Sequence, residues 1–239
     1  MTLRVEAFSG EPGEWDAVAR ATPAWTHFQL YGWRRVVEAA LGHECIYLAA
    51  REEGTSVLRG VLPLVRVRSV LFGHYLVSMP FLNYGGPLGD EEAVRALALE
   101  AAARTSADGA KLLELRSREP LPLDLPVSHR KITVLLDLPA GDAAPLWDGL
   151  AAKVRSQVRR PMKEGVEVRF GHDQLDPFYR VFARHMRDLG TPVLPRRLFE
   201  RIAEVYPDDA WFGCAWLGGR PVAGGCGFRW STTPAVMTR

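Results

Sequence analysis

The feature that most constrains this chain is one plan used twice. In each half, helical segments lead into two short apolar strands joined by a turn. The first pair of strands falls at residues 47–51 and 60–64, the second at 214–217 and 222–226. The copies lie about 165 residues apart, far beyond the ~20–50-residue period of solenoid repeats. Residue identity between them is low, so the shared plan carries the repeat. A chain of 239 residues then divides into two α/β domains, at about 100–200 residues per domain. The Gly-, Asp-, Ala- and Pro-containing run 139–145 is the expected linker. It leaves one domain over 1–140 and a second over 145–239.

Local signals fill in this plan. Helices are expected at 12–20, 27–41, 91–107, 146–160, 177–189 and 195–206. Gly42 suits the C-terminal cap of the second, and Asp90 caps the third. Pro161 is expected to end the fourth, because proline lacks an N–H and clashes with the preceding turn. Strands or extended segments are expected at 45–51, 57–67, 69–82, 111–116, 130–138, 166–170, 211–216 and 221–230. Gly218-Gly219 reads as a two-residue hairpin turn.

Charge excludes a general nucleic-acid binder. Thirty basic residues face 28 acidic ones, for a net charge of +2. Arginine supplies 26 of the 30, and Asn83 is the single asparagine. That skew is compositional, so arginine content by itself points to no partner. The three cysteines, Cys45, Cys214 and Cys226, form neither a disulfide framework nor a metal pattern. The start of the chain lacks the apolar core of a signal peptide. The most apolar stretch, 70–82, is shorter than the roughly 20 residues of a membrane span. A cytoplasmic protein is the expectation. No P-loop, dinucleotide fingerprint, nucleophile elbow or zinc-protease motif occurs.

Three features could carry chemistry. Arg155, Arg159 and Lys163 recur at i, i+4 and i+8, flanked by Lys153 and Arg160, with no acid between 153 and 163. Like charges at this spacing weaken a helix slightly, so their clustering points to an anionic partner such as a phosphate. The loop Asn83-Tyr84-Gly85-Gly86 could bring backbone N–H groups close to a ligand. The run Arg187 to Pro192 reads as a helix stop with a ligand-facing edge at Arg187 and Thr191. It departs from the acyl-CoA pyrophosphate loop R-x-x-G-x-G/A, because Pro192 replaces the last small residue and the run ends a helix.

Taken in order, 60–64, 71–73, 76–81, Asn83-Tyr84-Gly85-Gly86, Glu114-Leu115-Arg116, Lys153-Val154-Arg155, Val158-Arg159, Phe178-Tyr179, Arg187, 189–193 and Ala223-Gly224-Gly225 resemble FemAB-like acyltransferases. The nearest subgroup is the FemAB-related proteins of exosortase (PEP-CTERM) systems. The resemblance implies an α/β fold of two tandem GNAT-like domains. It implies transfer of an acyl or aminoacyl group to an amine on a cell-envelope or exopolysaccharide precursor. No cofactor is expected to be held tightly; aminoacyl-tRNA or acyl-CoA would serve as co-substrate. The partner would be an anionic small molecule or a lipid- or nucleotide-linked glycan precursor. Its binding residues would be Arg155, Arg159, Lys163, Asn83, Tyr84, Gly85, Gly86, Tyr179, Arg187 and Thr191. From 231 onward the sequence leaves the family pattern, so the second domain is expected to be incomplete, in a chain too short for activity. Two other readings stay open: an acetyl-CoA-dependent N-acetyltransferase, and a non-catalytic binding module of a polysaccharide-assembly system.

Overall fold

The computed structural model describes residues 2–69, 73–129, 132–139 and 141–230. The chain forms two compact units. The first comprises Met1–Leu123, Leu194–Trp211 and Gly227–Arg239; the second comprises Asp124–Val193 and Phe212–Cys226.

In the first unit, β1 (Leu3–Ala7) leads to α1 (Pro12–Ala21), a 3-10 turn (His27–Gln29), α2 (Trp33–Leu41), and the hairpin β2 (Glu44–Glu52) and β3 (Leu58–Ser69). β4 (Gly73–Val77), the short β5 (Leu88–Gly89), α3 (Glu91–Ala107) and β6 (Leu112–Glu114) follow. The sheet order is β1-β2-β3-β4-β6, with β5 paired to β3. All pairs are antiparallel except β4 and β6, which run parallel and are joined through α3.

The sheet is covered on both faces. On one, Trp15 of α1 stacks on Tyr47 at 4.7 Å, and its indole N–H donates to the Gln29 carbonyl at 2.7 Å. On the other, Ala93, Leu97 and Ala101 stand at i, i+4 and i+8 on α3, against Leu48, Ala50, Leu62 and Leu64. Alanines let the helix approach closely, and Gly60 makes the approach possible. A Cβ there would lie 2.8 Å from that of Ala93.

In the second unit, α4 (Ala144–Gly149) and α5 (Ala152–Lys163) precede β7 (Glu167–Phe170), α6 (Leu175–Asp188), and most of the strands β8 (Ala210–Leu217) and β9 (Arg220–Phe228). The order is β7-β8-β9. Phe212 and Cys214 of β8 are buried, with the Phe212 ring 5.7 Å from that of Phe178 on α6. Gln174 is buried beside them and accepts from the Trp216 indole at 2.9 Å.

The repeat is present in the pairing registers. Leu3 pairs with Glu52, and Glu167 pairs with Trp216. Each member of the second pair therefore lies 164 residues after its counterpart in the first. β1, which sequence reading passed over, supplies the match: each copy opens with a strand that pairs antiparallel to the first strand of its hairpin.

Several expectations are corrected. The helix over 27–41 is a 3-10 turn followed by α2, because Thr26 and Gln29 form a capping box that closes only one turn. The helix over 146–160 breaks where Leu150 turns extended, with ψ 140°. Pro161 lies inside α5 rather than ending it. The stop comes at Gly165, with φ +85°. There, Val166 N–H donates to the Pro161 carbonyl and Gly165 N–H to that of Met162, which satisfies the last carbonyls of the helix. The strand over 130–138 partly lies outside the described residues, and 132–139 have no regular structure. Past Val77 the expected extended segment becomes a tight loop, with Met79 and Phe81 at φ +55° and +69°. Residues 231–239 lie outside the described residues. The compact units also differ from a single cut at 139–145. α7 (Arg196–Val205) buries Leu198, Phe199 and Ile202 and packs on α2 within the first unit.

Candidate functional site

The basic helix forms as its spacing predicts. Arg155, Arg159 and Lys163 share one face of α5, and no residue of the helix is buried. The cations are not equivalent. Arg155 donates to the carbonyls of Asp148 and Leu150 at 3.0 and 2.7 Å, so it closes the C-terminal end of α4. The Arg159 guanidinium lies over the Trp147 ring, 5.0 Å from its centroid. That contact orients the side chain without using its hydrogen-bond donors. Lys163 is exposed at the last turn. Arg160 pairs with Glu164 at 2.9 Å. Arg159 and Lys163 are thus the two cations best placed to take an anion, with Arg155 behind them.

The remaining second-unit candidates gather on α6. Tyr179 is half-buried, its ring 6.3 Å from that of Phe182. Arg187 pairs with Asp188 at 3.1 Å. Gly190 N–H donates to the Arg187 carbonyl and Thr191 N–H to that of Met186. These bonds are the hydrogen-bond signature of a helix stop, so the Thr191 amide is occupied, while the residue itself is exposed.

In the first unit the Asn83–Gly86 reading is corrected. The amides of Gly85 and Gly86 both donate to the Arg116 carbonyl, at 2.9 and 2.8 Å, so neither is available to a ligand. A Cβ at Gly85 would lie 2.5 Å from the Met79 Cβ, and one at Gly86 would lie 2.2 Å from Ser117 Oγ. These glycines are required by close packing. Arg116 completes the clasp: its guanidinium donates to the Leu82 carbonyl at 2.8 Å, and its amide to Ser78 Oγ at 2.7 Å. Asn83 stays exposed and Tyr84 half-buried. The adjacent start of α3 repels anions, because Asp90 caps the Ala93 amide and Glu91 and Glu92 occupy the first turn.

Sequence reading also missed a cluster around His27. The imidazole is fully buried. The Trp33 indole N–H is shared between the His27 carbonyl at 3.0 Å and Nδ1 at 3.2 Å, and Nε2 lies 3.4 Å from the Asp209 carboxylate. Tyr206 and Phe228 pack on the ring at 4.4 and 4.9 Å. Burial holds His27 below the ordinary imidazole value, against the opposing pull of Asp209. The one local signal was the Thr26-x-x-Gln29 pattern of a capping box. The partners at 206, 209 and 228 are too distant in sequence to read.

Burial pushes the thiols of Cys45 and Cys226 up to about 12 and raises Cys214 as well. None is a ready thiolate, which disfavours a cysteine-bound intermediate. Among the described residues, no three His, Cys, Asp or Glu side chains gather as a metal site. No helix among them is long and apolar enough to cross a membrane.

The comparisons with known proteins fit this architecture. Residues 152–238 match the family model of an acetyltransferase (GNAT) domain. No curated protein sequence matches the chain. Among solved structures, the chain is similar to the crystal structure of FemX, with a TM-score of 0.57 and 17% identity. The match covers 90% of this chain and 57% of FemX, so the chain spans just over half the length of that relative. A GNAT family acetyltransferase from Staphylococcus aureus subsp. aureus USA300_TCH1516 also matches, at TM-score 0.35 and 11% identity, covering 57% of this chain and all of the other. The chain is a mixed α/β protein whose residues 152–238 carry the match to a GNAT domain. Its overall fold is similar to that of FemX.

Proposed function

We propose that this chain serves acyl transfer, moving an acyl or aminoacyl group to an amine on an anionic cell-envelope or exopolysaccharide precursor. The observation that carries the reading is α5: a helix within the GNAT match that buries nothing and presents Arg159 and Lys163 on one face. Arg159 and Lys163 hold the acceptor's phosphates, with Arg155 fixing the α4–α5 corner beneath them. Tyr179 and Arg187 on α6, with Thr191 just past its end, line the acceptor's path. Acyl-CoA, the co-substrate of GNAT domains, is the favoured donor, and aminoacyl-tRNA is the second. Both are cytoplasmic metabolites, which places the reaction there.

The chemistry asks little of side chains. An amine attacks the carbonyl of an activated ester or thioester. The C–O or C–S bond breaks to release the tRNA hydroxyl or the CoA thiol, and the amine loses a proton to solvent. The protein supplies positioning and stabilises the developing oxyanion. Calorimetric titration with a nucleotide diphosphate-sugar tests the acceptor site. Arg159→Gln with Lys163→Gln should weaken binding by about 1.5–3 kcal/mol, the range of a hydrogen bond to a charged group. Wild-type affinity in the double variant would refute the assignment.

A further inference from the structure

The cations explain only one side of α5. The other carries Val154, Val158, Pro161 and Met162, which fall within one narrow arc at helical spacing. Val154, Val158 and Met162 are 40%, 45% and 66% exposed. An amphipathic helix normally buries such a stripe against its own core. This one buries no residue fully, so much of the stripe is left open to solvent. Cations border it on both sides: Arg155 and Arg159 along one edge, Lys153 and Arg160 beyond Gln157 on the other. Trp147 stands beside them under Arg159, and indoles favour boundaries that are apolar at one end and wet at the other.

We propose that the α4–α5 segment is a peripheral membrane-binding face. It lies flat on an anionic bilayer, with the Val154–Val158–Met162 stripe in the headgroup–acyl boundary and the flanking cations on lipid phosphates. An apolar stripe with a basic polar face and low overall hydrophobicity is the pattern of an interfacial helix. Charge complementarity selects the occupant: the segment 153–163 holds five cations and no acid, which suits an anionic lipid surface. At twelve residues the helix is about 18 Å long, too short to span a bilayer. This inference shares α5 with the acceptor reading but rests on the stripe, which that reading does not use.

Sedimentation of the full chain with lipid vesicles tests it. The chain should pellet with vesicles containing phosphatidylglycerol and stay in solution with pure phosphatidylcholine. Binding should weaken as salt is raised. Val158→Asp with Met162→Asp should lower partitioning at least tenfold, with an unchanged circular dichroism spectrum and unchanged titration of a soluble nucleotide diphosphate-sugar. Arg159→Gln and Lys163→Gln should each lower partitioning about fivefold and weaken the soluble ligand too. Three results would overturn the proposal: no pelleting with anionic vesicles, full pelleting of the Val158→Asp/Met162→Asp variant, or complete displacement by inorganic phosphate at matched ionic strength. The last two would mark α5 as a phosphate site alone. Loss of soluble-ligand binding in the arginine and lysine variants would leave the acceptor reading standing whichever way the vesicles behave.

Discussion

Strands β2 and β8 hold equivalent places in the two copies yet are buried differently. Along β2, Tyr47, Leu48, Ala49 and Ala50 are all buried in succession. Along β8 burial alternates: Phe212 and Cys214 are enclosed, while Trp211 and Leu217 are 45% and 44% exposed. The cause is the second helical layer. In the first unit, α1 covers one face of the sheet and α3 the other, so successive residues of β2 are all enclosed. β8 has Phe178 of α6 against one face, and the period-2 alternation of a strand shows directly. The helices differ in the same way. α3 buries six of its residues, whereas α5 buries none fully. A helix with no fully buried residue is the natural place for binding residues, because its charged side chains stay at the surface.

The comparison can be broken most severely through α3. Leu97→Ala should cost about 2–5 kcal/mol, as for other fully buried leucines, seen as a lower denaturant midpoint at constant m-value. A cost below about 1 kcal/mol would mean that α3 is not the second layer that separates the two strands. Gly86→Val should cost about 1–3 kcal/mol as an overpacked site, since Ser117 must move. Its soluble-ligand affinity should be unchanged once folded protein is measured. A selective loss of affinity would restore the loop as a ligand contact.

A smaller effect is expected from pH. An unfolded imidazole takes up its proton near pH 6.5. The folded His27 does so at lower pH because burial disfavours the charge. Unfolding therefore takes up a proton in the window just below pH 6.5, and stability is lost there as pH is lowered. His27→Gln should flatten that slope in part, since His43, lowered by the same cause, keeps a contribution of the same sign. Asp16 is raised by burial and acts in the opposite direction at lower pH. A variant with the full wild-type slope would remove His27 as its source. At the small end, Val158→Ala on α5 should shift stability by no more than about 0.5 kcal/mol. A loss like that of Leu97→Ala would show that α5 has a core of its own to serve.

Much of this contrast was legible in the sequence. The hairpins, α3 with its Asp90 cap, α6, α7 and the one-sided charge of α5 follow from local signals. So does the repeat, although β1 was overlooked despite the alternation of Leu3, Val5 and Ala7. What could not be read depends on long-range partners. The glycines of the 83–86 loop carry the composition of a ligand cradle, and only the Arg116 carbonyl shows that their amides are occupied. Pro161 is a helix breaker by local rules. It stands in the last turn, and the helix stops just beyond it, where Gly165 and Val166 cap the Met162 and Pro161 carbonyls. The alternating apolar run at 132–138 has strand composition, but 132–139 pair with nothing in the sheets, and composition cannot supply a partner. His27 drew no notice because Trp33, Tyr206, Asp209 and Phe228 reach it from three separate stretches of chain.

The central claim is that ligand binding belongs to α5, while the glycine loop is scaffold. Hydrogen exchange read by mass spectrometry, with and without a saturating nucleotide diphosphate-sugar, tests it directly. New protection should appear in peptides covering 152–163, with exchange over 83–86 and along α3 unchanged. Protection that rises over 83–86 while 152–163 exchanges as before would contradict the account.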